Sequence, residues 1–205
     1  MSEIKCLFLD IGGVLLTDGW NHAARELASQ KYKLDLKEME ERHHLTFDTY
    51  EVGKLSLEEY LNRIVFYRKR SFTQAQFQKF MFAWSKPLPG MIDLVSEVKA
   101  KNKLKVAVVS NEGRELTLHR IKTFKLDRFV DFFISSCFVH FRKPDVEIYK
   151  LALDVSQVKS NHVAYIEDRP MFVHVGESLG LHGIQHVDYK TTRAKLAKLG
   201  LEVPA

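Results

Sequence analysis

Asp10 closes an apolar run, LFLD, and is followed at once by Ile11, Gly12 and Gly13. A charge at the end of a buried strand, with the next side chains stripped away, leaves room for another group to approach the backbone closely. Three more segments end in a similar way. VVSN closes on Ser110 and Asn111, a hydroxyl and an amide placed where a helix is about to start, with free backbone N–H groups suited to an anion. YIED closes on the adjacent acids Glu167 and Asp168, which repel each other unless a cation or a hydrogen-bond network holds them. Between these two lies FRKPD, in which Lys143 precedes a proline suited to the first turn of a helix.

A single site built from these parts holds an aspartate, a second carboxylate, a lysine and short phosphate-binding groups. Hard oxygen ligands with a vacant side suit a magnesium ion that also takes a phosphate oxygen of the substrate. The metal and the lysine would neutralise charge on a phosphoryl group, so that a carboxylate can attack it despite the like charge. That chemistry is phosphoryl transfer.

The elements that must carry these residues are short, near-continuous apolar runs: IKCLFLDI near the start, KVAVVS at 105–110, FVDFFISS at 129–136, HVAYIED at 162–168 and a weaker GIQHV at 183–187. Continuous rather than alternating hydrophobicity predicts strands covered on both faces, as in a parallel sheet. Amphipathic stretches of helical period lie between them, with Met91, Leu94, Val95 and Val98 on one face, Ile148, Tyr149, Ala152 and Leu153 on another, and Phe172, Val175 and Leu179 on a third, stopped by Gly180. The alternation predicts a doubly wound, Rossmann-like α/β fold, a parallel sheet with helices on both faces. From about residue 20 to 84 only helix signals occur, with Asn21 and Asp35 as N-caps and Ser56/Glu59 and Thr73/Gln76 as capping boxes. Leu57, Tyr60, Leu61 and Ile64 form one apolar face there, and Phe77, Phe80, Met81 and Trp84 another. SKPLPG at 85–90 reads as the return linker. An all-helical insert directly after the first strand is expected to sit over that strand's C-terminal end, where open α/β sheets bind ligands.

Composition narrows the functional classes. At 205 residues with a net charge of +5, the chain can bury a sizeable core, and its charge is too mild and too dispersed for a nucleic-acid arm. YRKR at 67–70 is too short to be more than a solvated helix end. Cys6 and Cys137 sit in apolar runs and read as reduced, buried thiols. The opening MSEIKCLFLD is too short an apolar stretch for a secretory leader, and no run approaches a membrane span, so a cytoplasmic location with no membrane or nucleic-acid partner is the expectation. Nothing in the sequence sets an oligomeric state.

FLDIGGVL, VVSN, Lys143 within RKPD, and YIEDR, in that order and spacing, resemble the four motifs of the haloacid dehalogenase superfamily across essentially the whole chain. The helical insert resembles the small helical cap of one of its subgroups. The resemblance implies a core of residues 1–18 and 86–205 with a cap at 19–85, and a small phosphorylated substrate. It also implies roles: Asp10 as nucleophile through an aspartyl-phosphate, Ser110 and the Asn111 backbone as phosphoryl binders, and Lys143 bridging nucleophile and phosphate. Magnesium would be held by Asp10, Asp168, Glu167 and the backbone carbonyl of Gly12. Phosphatases of the superfamily carry a second aspartate two residues after the nucleophile, which acts as general acid and base; this chain has Gly12 there. Such assistance is worth ~100 to 10,000-fold. A sugar-phosphatase-like branch that shares this glycine is the favoured reading; a dehalogenase or phosphonatase, or a phosphate-binding module without turnover, are the alternatives.

Asp18, Trp20, Asn21, Phe47 and Tyr50 are the expected substrate lining. The remaining aromatics of the insert read as its core, and the nine histidines, including His43, His44, His182 and His186, as satisfied or exposed. Arg169 is expected to pair with Glu167, with reaching the site as the alternative.

Overall fold

The computed structural model describes residues 3–204; the first two residues of MSEIKCLFLD and both outer bounds expected for the core lie outside that range. In chain order the elements are β1 (Cys6–Leu9), α1 (His22–Tyr32), α2 (Leu36–His44), α3 (Phe47–Glu51), α4 (Leu57–Ile64), α5 (Gln74–Ala83), α6 (Met91–Asn102), β2 (Lys105–Ser110), α7 (Arg114–Phe124), β3 (Phe132–Ser135), α8 (Ser136–Val139), α9 (Val146–Ser156), β4 (Val163–Glu167), α10 (Pro170–Ser178), β5 (His182–Gln185) and α11 (Tyr189–Lys198). Among the described residues the five strands form one parallel sheet in the order β3-β2-β1-β4-β5.

Successive side chains of a strand point to opposite faces, so a run apolar at every position serves two cores at once. Leu7, Leu9, Val106, Val108 and Ile166 pack with Met91, Leu94, Val95 and Val98 of α6 and Leu196 of α11. Cys6, Phe8, Ala107, Val109 and Tyr165, one residue out of phase, pack with Ile148, Tyr149 and Ala152 of α9. Each fully buried aliphatic side chain contributes ~1.5–3 kcal/mol, which is why these strands hold the middle of the sheet.

The helices between Asn21 and Ala83 gather a third core around Tyr60, Leu61, Ile64, Phe77 and Met81. Their starts follow the side chains expected to cap them: Asn21 accepts from Ala24 N, Asp35 from Glu38 N, and Ser56 with Glu59 and Thr73 with Gln76 form reciprocal boxes. The outgoing and returning segments run side by side, with Thr17 N donating to Lys86 O at 2.8 Å and Leu88 N to Leu15 O at 2.9 Å. Arg120 of α7, only 1% exposed, binds both of them, donating to Thr17 O at 2.9 Å and Ser85 Oγ at 3.0 Å.

Three sequence expectations need correction. Pro144 is not in the first turn of a helix: Asp145 accepts from Glu147 N and starts α9 one residue later. Trp84 stands at the C-cap of α5, half-buried and outside the helical core, because the helix ends there. Strand β3 begins only at Phe132; Phe129 and Val130 are buried in the core below it without pairing as a strand.

Candidate active site

Where the strand order reverses, between β1 and β4, the carboxyl ends of two neighbouring strands open a crevice. Register brings Leu9 opposite Ile166, and the ladder runs one bond further as Asp10 N donates to Ile166 O at 3.0 Å. Asp10 therefore leaves the sheet beside Glu167 and Asp168, although more than 150 residues of chain separate them. Ser110 closes β2 on the other side of β1.

Lys143 joins these ends. Its Nζ lies 3.1 Å from Asp10 Oδ2 and 2.5 Å from Glu167 Oε2, with no part of the lysine or of Glu167 exposed. Asn111 sets its place: the side-chain amide donates to Lys143 O and accepts from Lys143 N, both at 2.8 Å. Both oxygens of Glu167 are engaged, with Oε2 also accepting from the Tyr165 hydroxyl at 2.7 Å and Oε1 from Arg169 N at 3.1 Å.

The charges answer to burial first. Burial pulls the Lys143 ammonium toward neutrality, but Asp10 and Glu167 outweigh it and raise its pKa above the usual lysine value. Burial likewise lifts the Asp10 carboxyl to about 6, against the pull of Lys143 and of the Ser110 hydroxyl bonded to it.

Asp10, Glu167 and Asp168 each offer an oxygen, all within 4.8 Å of one another. Among the described residues Asp168 Oδ1 has no hydrogen-bond partner although it is buried, an arrangement that disfavours the protein alone and fits a cation. Gly13 makes the approach of Asp168 possible: its φ is +70°, and a Cβ there would lie 2.5 Å from Asp168 Cγ.

The crevice continues into a partly open cavity of about 110 Å³. Its floor includes Asp10, Gly12, Asn111 and Lys143; Ser110, Glu167 and Asp168 stand behind that surface. All five residues expected as lining, Asp18, Trp20, Asn21, Phe47 and Tyr50, face it. Arg169 also lines it, resting over the Phe172 ring, and its guanidinium makes no ion pair with Glu167 among the described residues, so of the two expectations it is reaching the site that holds and the pairing that is corrected.

Sequence reasoning missed Glu51, Glu112, Arg120 and Arg142, all in the cavity wall. Arg142 is the neighbour of Lys143 and pairs with Asp48 and Glu51 of α3, with Glu51 Oε2 at 2.8 Å. Glu112 directly follows Asn111 and pairs with Arg120 at 2.8 Å; burial, with Glu51, Asp10 and Asp18 nearby, raises its pKa to about 7 in spite of Arg120. Adjacency to the motif residues is the signal that would have found two of the four. His43 also lines the cavity, and burial lowers its pKa to about 4. His182 and His186 are satisfied away from it, on Asn161 O and Thr192 Oγ1.

A parallel sheet whose switch point carries an aspartate, a lysine and a further acid pair under a helical insert defines a class of hydrolase, and residues 4–174 match the haloacid dehalogenase-like hydrolase family, to which the chain belongs. A phosphorylated carbohydrates phosphatase of Thermotoga maritima is 28% identical over 142 residues, 69% of this chain and 61% of that protein. The match thus spans less than two thirds of the relative's length. Among solved structures, a predicted HAD-like family hydrolase from Porphyromonas gingivalis has a TM-score of 0.78 at 20% identity, covering 97% of this chain and 98% of the other. A HAD family enzyme from Bacteroides thetaiotaomicron, in complex with magnesium and inorganic phosphate, has a TM-score of 0.75 at 20% identity over 90% and 95% of the two chains. At these identities the solved structures speak for the fold.

Proposed function

We propose that this chain is a magnesium-dependent phosphatase of a small phosphorylated metabolite, a sugar phosphate in the first instance, working through an aspartyl-phosphate on Asp10. The observation that carries this reading is the placement of Lys143 between Asp10 and Glu167, beside the unpartnered oxygen of Asp168. An ammonium held charged at that point can bind a phosphoryl dianion next to the carboxylate that attacks it.

In this reading Asp10 attacks phosphorus in line with the departing oxygen. Ser110 Oγ and the Asn111 backbone N–H hold the phosphoryl oxygens, and Lys143 offsets their charge. Asp10 and Asp168, with the Gly12 carbonyl and Glu167, would hold magnesium, which supplies Lewis-acid neutralisation of the phosphoryl group when bound. Residues 19–85 act as the cap and 1–18 with 86–205 as the core, the cap excluding water and reading the leaving group. The small cavity, with aromatic rings and several hydrogen-bonding groups in its wall, supports a compact polar substrate over a polymer. The printed name of the Thermotoga relative supports the carbohydrate class. Free, buried Cys6 and Cys137 support a reducing, cytoplasmic setting, and no helix among the described residues is long and apolar enough to cross a membrane.

The test is phosphate release from 4-nitrophenyl phosphate and from a panel of sugar phosphates, with magnesium and with a chelator. Asp10→Asn is expected to lower release on the order of 1,000-fold or more. Wild-type turnover in that variant would remove Asp10 as nucleophile, and no turnover of any ester by the wild type would favour the binding-module reading.

A further inference from the structure

An alkoxide is a poor leaving group, and the position that would supply its proton by analogy holds only Gly12. The cavity wall contains four carboxylates: Asp10, Asp18, Glu51 and Glu112. Three are committed to cations, Asp10 to Lys143 at 3.1 Å, Glu51 to Arg142 at 2.8 Å and Glu112 to Arg120 at 2.8 Å. Among the described residues the Asp18 carboxylate has neither an ion pair nor a hydrogen bond, although it faces the same cavity as the nucleophile.

Its location relative to Gly12 is specific. A Cβ built on Gly12 would lie 3.4 Å from Asp18 Oδ1, so the Asp18 carboxylate stands beside the space that a side chain at position 12 would enter. The loop that carries it is fixed on both sides. Thr17 O accepts from Arg120 Nη2 at 2.9 Å, and Gly19 lets the Glu112–Arg120 pair come so close that a Cβ there would be 2.6 Å from Glu112 Oε2. A half-buried acid on an anchored loop, pointing into the reaction chamber without a partner, is preorganised to exchange a proton with a bound group.

We propose that Asp18 is the general acid and base of the reaction, a carboxyl supplied from the last core residue before the helical insert in place of one at residue 12. This rests on the phosphatase reading above. As the Asp10 oxygen bonds to phosphorus and the bond from phosphorus to the leaving oxygen breaks, the Asp18 carboxyl gives its proton to that oxygen, releasing an alcohol. Water then attacks the aspartyl-phosphate, Asp18 takes one of its protons, and the phosphorus–Asp10 bond breaks to release inorganic phosphate, restoring both side chains.

The experiment is the dependence of kcat/KM on leaving-group basicity, measured with magnesium over a series of aryl phosphates from 4-nitrophenyl to phenyl phosphate. Asp18→Asn is expected to leave 4-nitrophenyl phosphate within about tenfold of wild type and to lower phenyl phosphate ~100-fold or more, steepening the plot. Gly12→Asp placed on Asp18→Asn is expected to flatten it again, since a Cβ at 12 meets only ordinary contacts, at 3.4–3.7 Å. Equal losses on all esters, or none, in an Asp18→Asn protein with a wild-type melting curve would overturn the assignment. Asp10→Asn run alongside separates the two claims. If it is inactive while Asp18→Asn keeps the wild-type slope, only the role of Asp18 falls; if it is active, the phosphatase reading falls with it.

Discussion

Lys143 Nζ and Glu167 Oε2 lie 2.5 Å apart in a place where neither residue reaches solvent. The pair is held by Asn111 on one side and Tyr165 on the other, and it aims the ammonium at Asp10. Removing one member of a buried pair leaves an uncompensated charge, which costs about 3–5 kcal/mol. Lys143→Met is therefore expected to lose that much stability in urea unfolding, together with phosphate release. A loss below about 1 kcal/mol would show that the carboxylates relax without the lysine.

The two glycines after Ile11 are expected to behave differently. Gly13→Ala must adopt φ near +70° and meet Asp168 at 2.5 Å, so a loss of about 2–4 kcal/mol is expected, along with displacement of the Asp168 carboxylate. Gly12→Ala meets only ordinary contacts and should change stability by less than about 1 kcal/mol. Thermal melts of the two variants check the contrast.

His43 ties stability to pH. Trp20 Nε1 donates to the Tyr60 hydroxyl at 2.9 Å, and that hydroxyl lies 2.6 Å from His43 Nδ1. Burial, then Arg25, lowers its pKa from the usual 6.5 to about 4, with Glu40 opposing. The unfolded chain takes up a proton below pH 6.5 while the folded protein resists until about 4, so stability is complete above 6.5 and falls as pH drops through that window. Wild type should lose on the order of 2–3 kcal/mol relative to His43→Gln between pH 7 and 4. Parallel pH profiles for the two proteins would refute this.

Magnesium should stabilise the folded chain through the acid cluster. A ligand at 100 times its Kd adds about 2.7 kcal/mol, so millimolar magnesium is expected to raise the Tm and a chelator to reverse the shift. Asp168→Asn should abolish the response, because it removes the charge from the carboxylate whose Oδ1 is unpartnered in the structure. A full shift in that variant would place the cation elsewhere.

Much of this molecule is legible without coordinates, because the signals are local. Runs such as KVAVVS are apolar on both faces and become β2 at the bounds their hydrophobicity marks, and Ser56/Glu59 and Thr73/Gln76 start helices with their own side chains. Where a local signal competes with packing, the reading slips. Trp84 fits the apolar period of α5 but falls at its last turn, and Arg169 follows an acid pair yet turns to the cavity because Glu167 is already satisfied.

The sequence by itself determined the strands, the helix caps, the all-helical insert and the identity of the polar groups at each strand end, since each depends on residues within a few positions of one another. Only the tertiary structure decided which groups meet. Arg120 binds Thr17 across 103 positions, Lys143 reaches a carboxylate 24 positions away, and Asp18 comes to rest beside Gly12 with its carboxylate unpaired among the described residues. Buried charges acquire partners through the folding of distant segments against one another, and no local pattern of residues encodes that choice.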